Sequence, residues 1–357
     1  MAFTEIYVDP SLTNGTGSGT IGAPYGNIEY AIVQETFDLT NSTRINVKSG
    51  ATDTLASILN TSFSDTSVSI AWVPGAGAEL RIQGYNAAAG DGGKGDISGG
   101  GTVGIIGSNI GYVSFMDMHL HNTGTVQIAT CTNNYFIRCE FSDCSSTTGN
   151  GMVNGGLNTV MLACEFHDMT GSNCMYAQLP APWYCYFHDG AGGGPTTRHI
   201  YTNKAALAYR NVITTAGNAD GIHVYNGGVA ANNTLYSTGT GSGIDGQFNQ
   251  FNCFAFNNVV QGYAVGIDGG NTQAEMMYAW GNSVYNSSTT DLRFGTNGGR
   301  TINGMVDAWK SGTVTNANES LGATPFTTVS LEAGDFSLTG QGDTVDGHYP
   351  LVVGNGV

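Results

Sequence analysis

Hydrophobic and polar positions alternate over short stretches of this chain, and the stretches recur. "CEF" begins at Cys139 and again at Cys164, and "CYF" begins at Cys185. Further along, the cysteine position is taken by Asn211, Asn233, Asn258 and Asn282, at intervals of roughly 21–26 residues. Two residues on lies an apolar column of Phe141, Phe166, Phe187, Ile213, Leu235, Val260 and Val284, and Met116 and Met118 extend both columns upstream. A second column, Ile128, Val153, Met175, Ile200, Ile222, Ile244, Ile267 and Leu292, runs through the other half of each repeat. Turn clusters such as "TTGNG", "TAGNADG" and "STGTGSG" separate the two. Period-two alternation around each column predicts strands. A repeat this short, with several strands and no helix, predicts an all-β, single-stranded parallel β-helix, a solenoid in which each turn stacks on the last. Like residues then lie about 4.8 Å apart, and amides can hydrogen-bond along the Asn column.

The ends of such a stack need covering. Ile28, Ala31, Ile32 and Glu35 fall at helical spacing, which predicts an N-terminal capping helix. Residues 1–50 then form the opening strand and helix, 51–305 the rungs, and 306–357 a C-terminal cap or tail. "INVKSG" and "SIAWVPG" read as the first strands, and 86–101 as a Gly-rich loop. That loop contains "GK", but Gly95 stands where a phosphate loop needs a hydroxyl, so it is no nucleotide site.

Composition narrows the function. The 357 residues include 54 Gly, and only 11% are charged, with a formal net charge of −16 from 11 basic and 27 acidic residues. No basic footprint is available for nucleic acid or an anionic membrane. "MAFTEIYVDP" lacks a charged region followed by an apolar run, so no secretory signal is expected. No apolar run is long enough to span a membrane. Seven cysteines without framework spacing predict free thiols.

The opening "IYVDPSLTNGTGSGTIGAPYGNIEYAI" (6–32) and the ending "GDFSLTGQGDTVDGHYP" (334–350) resemble the pectate-lyase-like superfamily of right-handed parallel β-helix proteins. In the ending, Gly-Asp-Thr stands where that family commonly has Ser-Pro-Ala. The resemblance implies a right-handed solenoid. It leaves function open among lyases, glycoside hydrolases, esterases, phage tailspikes and non-catalytic virion proteins.

Alternation also sorts the polar residues. If Phe166 faces the core, so does Cys164, while Glu165 and His167 face outward. The thiol and imidazole of "CEFHD" therefore cannot share a zinc ion, and no metal site is assigned. Asp117, Glu140 and Glu165 form an outward acidic column, with His119, His167 and His188 beside it. By resemblance to pectate lyases this column is a calcium candidate or a partner contact, and Arg138 is the cation such a lyase would use. A second outward row is Asn154, Tyr176, Tyr201, His223, Asp245, Asp268 and Arg293. Within it, Tyr201, His223, Asp245 and Asp268 are the candidates for glycan contact or for glycosidic cleavage by paired carboxylates. The paired-Asp and Gly-His-Gly motifs of polygalacturonases are absent.

No catalytic motif is complete, so no catalytic residue is assigned. The expectation is a non-catalytic structural protein of a bacteriophage particle, assembled in the host cytoplasm. A capsid decoration or accessory protein is favoured over a tailspike or fibre, because the chain starts almost directly with the β-helix opening. Its expected partners are other virion proteins such as the major capsid protein, further copies of itself as a homotrimer, and surface glycans, with no cofactor besides the calcium candidate. The alternative is an extracellular polysaccharide hydrolase or lyase.

Overall fold

The alternating stretches form strands that pair in parallel with their counterparts one repeat away. The computed structural model describes residues 3–35, 42–59, 80–107, 113–131, 134–146, 152–155, 159–171, 173–178, 182–190, 198–247, 253–269, 277–280, 282–285 and 288–293. Among them lie three parallel sheets of eleven, ten and eight strands, here called the first, second and third. From Val113 onward each repeat passes through all three, which makes the chain an all-β parallel solenoid. The predicted strand "SIAWVPG" and the predicted tail 306–357 lie outside the described residues.

The second sheet carries the apolar column in the predicted register, from Phe141 opposite Phe166 to Val260 opposite Val284. The third carries Val153, Met175, Ile200, Ile222, Ile244, Ile267 and Leu292 in one line. Both lines point inward and are buried wherever their side chains are described. Phe141, Phe166 and Phe187 stack face to face, with centroids 4.8 and 4.4 Å apart. Such contact adds to the area each ring removes from water.

Two upstream extensions shift. Leu120, not Met118, lies opposite Phe141, which places Met118 rather than Met116 in the cysteine column. Ala129, not Ile128, lies opposite Val153. The first shift follows from the corner between the first and second sheets. There seven successive turns bend through a single residue with left-handed backbone: Asp117, Arg138, Ala163, Tyr184, Arg210, Asn232 and Asn257, with φ between 52 and 57°. L-residues rarely adopt this conformation, so its recurrence at one corner marks a built feature. Since Asp117 makes the bend, Met118 is the first residue after it, as Cys139 is after Arg138.

The cysteine–asparagine column sits directly after this corner, and its members are buried. Asn211 Nδ2 donates to Asn233 Oδ1 at 3.0 Å, Asn233 to Asn258 at 2.9 Å and Asn258 to Asn282 at 2.8 Å. The same oxygens accept the backbone N–H of the preceding asparagine, each at 2.9 Å. Each Nδ2 also donates to a first-sheet carbonyl: Pro182, Ala208, Ala230 and Ala255 in turn. The ladder thus satisfies polar groups that burial would otherwise leave costly.

The predicted helix forms over Ile28–Gln34, with Asn27 accepting the Tyr30 N–H as its N-cap and Ile28, Ala31 and Ile32 buried. Asp53 accepts the Ile28 N–H at 2.7 Å. Part of the predicted Gly-rich loop is instead a strand, Gly95–Ser98, in the second sheet. That strand brings Lys94 and Asp96 to the outward face beside the histidines.

Candidate functional site

The outward face of the second sheet gathers four of the seven histidines. The predicted acidic column does not form as such, because Glu140 lies opposite His119 rather than Asp117. The row is Asp96, His119, Glu140, Glu165 and Tyr186. Asp117 sits at the corner and is held by Arg138 through two hydrogen bonds of 2.7 and 2.8 Å. The three carboxylates considered for calcium are therefore not in line, and Arg138 is engaged with one of them. His121 joins the neighbouring row, opposite Ser142.

A repeated device holds this face together. His167 reaches back one turn, with Nε2 3.0 Å from Glu140 Oε1, while its Nδ1 lies 2.7 Å from Asp168. His188 repeats the arrangement with Glu165 at 2.9 Å and Asp189 at 2.7 Å. Asp168 and Asp189 adopt left-handed backbone, with φ of 52 and 47°, a conformation Asp tolerates better than most. "CEFHD" is thus a connector: its glutamate serves the next turn and its histidine the previous one. Cys164, two residues from the core Phe166, is buried on the opposite side.

The charges follow from this geometry. Burial alone would lower the His167 and His188 pKa values, but their paired carboxylates outweigh it and raise both. Burial works against Glu140 ionising, yet Lys94, His167 and His119 together bring it down to about 2. His119 moves the other way: burial and neighbouring imidazoles lower it more than Glu140 and Asp96 raise it. Its Nε2 lies 2.9 Å from Ser142 Oγ and 3.3 Å from Glu140 Oε1. His121 Nε2 lies 2.6 Å from Asp96. His119 and His121 stack at 4.2 Å, and His167 and His188 at 5.2 Å.

The outward row of the third sheet has the predicted register throughout: Asn154, Tyr176, Tyr201, His223, Asp245, Asp268 and Arg293. His223 is 1% exposed and its Nδ1 lies 2.6 Å from Asp245 Oδ2. Burial lowers the His223 pKa despite that partner. Tyr201 packs edge-on against both Tyr176 and His223. Two residues not anticipated from the sequence complete the group. Arg198 lies over the Tyr201 ring, and Asp220, paired with Arg198 in register, accepts the Ser242 N–H at 2.7 Å. Burial, reinforced by Asp245 and Asp268, pushes the Asp220 carboxyl up to about 7. Asp220 precedes the Ile column by two residues, so it fell outside the row read from the sequence.

No protein-family model and no curated protein sequence matches this chain. Among the described residues no helix is long and apolar enough to cross a membrane.

Proposed function

We propose that the chain is a non-catalytic structural protein of a bacteriophage particle, a capsid decoration or accessory protein rather than a tailspike or fibre. In this reading it assembles as a homotrimer in the host cytoplasm and docks on other virion proteins such as the major capsid protein. Its tyrosine-bearing third sheet is the face for surface glycans, since the half-buried Tyr201 offers aromatic area beside polar groups. The observation that supports this most is the engagement of the outward imidazoles. His119, His121, His167, His188 and His223 each lie within 4 Å of a carboxylate. Most of these contacts join one turn to the next, so they stiffen a rod.

The test pairs a polysaccharide panel with a virion measurement. No sugar release from bacterial or plant polysaccharides, and detection of the chain in purified particles by mass spectrometry, are the expected results. Turnover that disappears in Asp245→Asn or Asp268→Asn would overturn the structural reading.

The second reading, a polysaccharide hydrolase, is favoured by one observation, the carboxyl of Asp220 poised near neutrality. A protonated Asp220 would donate to the glycosidic oxygen, while Asp268 or Asp245 would act as base or nucleophile. Activity with an alkaline limit near pH 7 that is lost in Asp220→Asn would establish this reading.

A further inference from the structure

Around Glu140 the connector motif does something it does nowhere else among the described residues. Two imidazoles from different turns point at one carboxylate oxygen. His167 Nε2 lies 3.0 Å and His119 Nε2 3.3 Å from Glu140 Oε1. Donor atoms of the three residues all lie within 4.8 Å of one another. Lys94 contacts the other oxygen, Oε2, so Oε1 is left to the two rings.

We propose that His119 Nε2, His167 Nε2 and Glu140 Oε1 bind one divalent transition ion of the zinc class. Zinc–ligand distances of about 2.0–2.1 Å at a tetrahedral centre place neighbouring donors about 3.3 Å apart. The two nitrogen–oxygen separations already stand close to that edge, so little movement is needed to admit the ion. Two imidazole nitrogens with a single carboxylate oxygen suit zinc, nickel or copper, whereas calcium takes six to eight oxygens. The fourth position is left to water.

The surroundings match those of a metal-ligating histidine, whose far nitrogen is usually held by a carboxylate. His167 Nδ1 lies 2.7 Å from Asp168 Oδ2, which fixes the ring with Nε2 facing Glu140. His119 Nδ1 lies 3.8 Å from Asp96 Oδ1. Ser142 Oγ, 2.9 Å from His119 Nε2, is the one neutral group that must yield or hydrogen-bond to the bound water. One turn along, Glu165 faces the single imidazole of His188 on the same oxygen. That neighbour supplies a control within the same molecule.

A bound ion would join three successive turns, from His119 through Glu140 to His167, so binding must also stabilise the fold. The test is calorimetric titration of the chelator-treated full chain with Zn²⁺ at neutral pH, with Ca²⁺ in parallel. One saturable Zn²⁺ per chain, a melting temperature raised by a few degrees and no Ca²⁺ uptake are expected. His119→Gln and His167→Gln abolish that binding, and His188→Gln leaves it intact. Asp168→Asn, which only positions His167, weakens it about 10–100-fold. Saturable binding that survives both His119→Gln and His167→Gln overturns the proposal, as does its absence from the wild-type chain. Should the variants not fold, the visible spectrum of wild-type protein with Co²⁺ decides. A four-coordinate nitrogen–oxygen spectrum supports the site, and one unchanged from the hydrated ion overturns it.

Discussion

Asn211 Oδ1 accepts the backbone N–H of Cys185 at 2.9 Å, and this bond joins two chemically different halves of one ladder. On the asparagine side, each Nδ2 donates to a first-sheet carbonyl one turn back. On the cysteine side, thiols do the same: Cys139 Sγ to Phe115, Cys164 to Phe136 and Cys185 to Met161. These acceptors lie in one register line that runs on through Pro182, Ala208, Ala230 and Ala255. Cysteine and asparagine are therefore alternative donors to the same row, and the change between them explains why the column survives the change of residue.

The ladder predicts an asymmetric cost of truncation. Asn233→Ala removes the acceptor for both the N–H and Nδ2 of Asn211 and leaves the Ala208 carbonyl without this donor. Each orphaned buried group costs about 1–3 kcal/mol. The expected loss is about 3 kcal/mol or more, read as a lower denaturation midpoint in urea. Cys164→Ala removes only weak S–H donors and should cost clearly less.

The thiols should be silent in the folded state. Cys139, Cys144, Cys164, Cys174, Cys185 and Cys253 are buried thiols. Burial raises Cys139 and Cys164 well above the ordinary thiol value and Cys174 to about 12. Reactivity requires exposed thiolate. At most one of the seven thiols per chain should react promptly with a disulfide reagent at pH 8, and all seven should react in guanidinium.

Asp220 sets one pH dependence. Its carboxyl titrates near 7 in the fold against an ordinary 3.8, so the native state holds a proton that the unfolded chain releases. Stability therefore falls as pH rises from about 4 to about 7, and by no more than a few kcal/mol. Asp220→Asn retains an oxygen for the Ser242 N–H and lacks this fall. Thermal melts of both proteins should nearly coincide at pH 4 and differ at pH 8, with the variant more stable at the higher pH.

His188 sets another, in a different window. Its pKa is raised in the fold, so the stabilisation is full below the ordinary 6.5 and is lost as pH rises through the folded value. Glu165→Gln removes one of the two carboxylates responsible. A proton–nitrogen NMR titration should then show the His188 pKa falling while that of His167, tied to Glu140, moves much less. Equal movement of both would contradict the pairing.

The inward columns were legible in the sequence because a solenoid repeats its core. Phe141, Phe166 and Phe187 stack on one another, and stacked positions select similar side chains. The third-sheet row from Tyr176 to Asp268 was legible for the same reason, being fixed by the Ile column beside it. The corner was not legible. Asp117, Arg138, Ala163 and Tyr184 share a backbone conformation and no side-chain chemistry, so no pattern exposes them. Placing Met116 and Met118, rather than Met118 and Leu120, in the two columns moved Asp117 into the acidic row and His119 out of it. Asp96 was hidden by composition, since a strand rich in glycine reads as loop.

The one-residue bend also constrains how this molecule could have diverged. Between the first and second sheets the seven repeats that bend at Asp117 through Asn257 change direction in the same single step, with the ladder packed directly behind it. An insertion in one repeat there would break the alignment of its asparagine with those on either side. Among those repeats, differences in length must therefore collect at the other two edges, whereas the earlier turn from Tyr85 to Gly95 carries its long connection at this one. Along the ladder, those two edges are where new loops could be grafted, and the ladder edge is a closed seam.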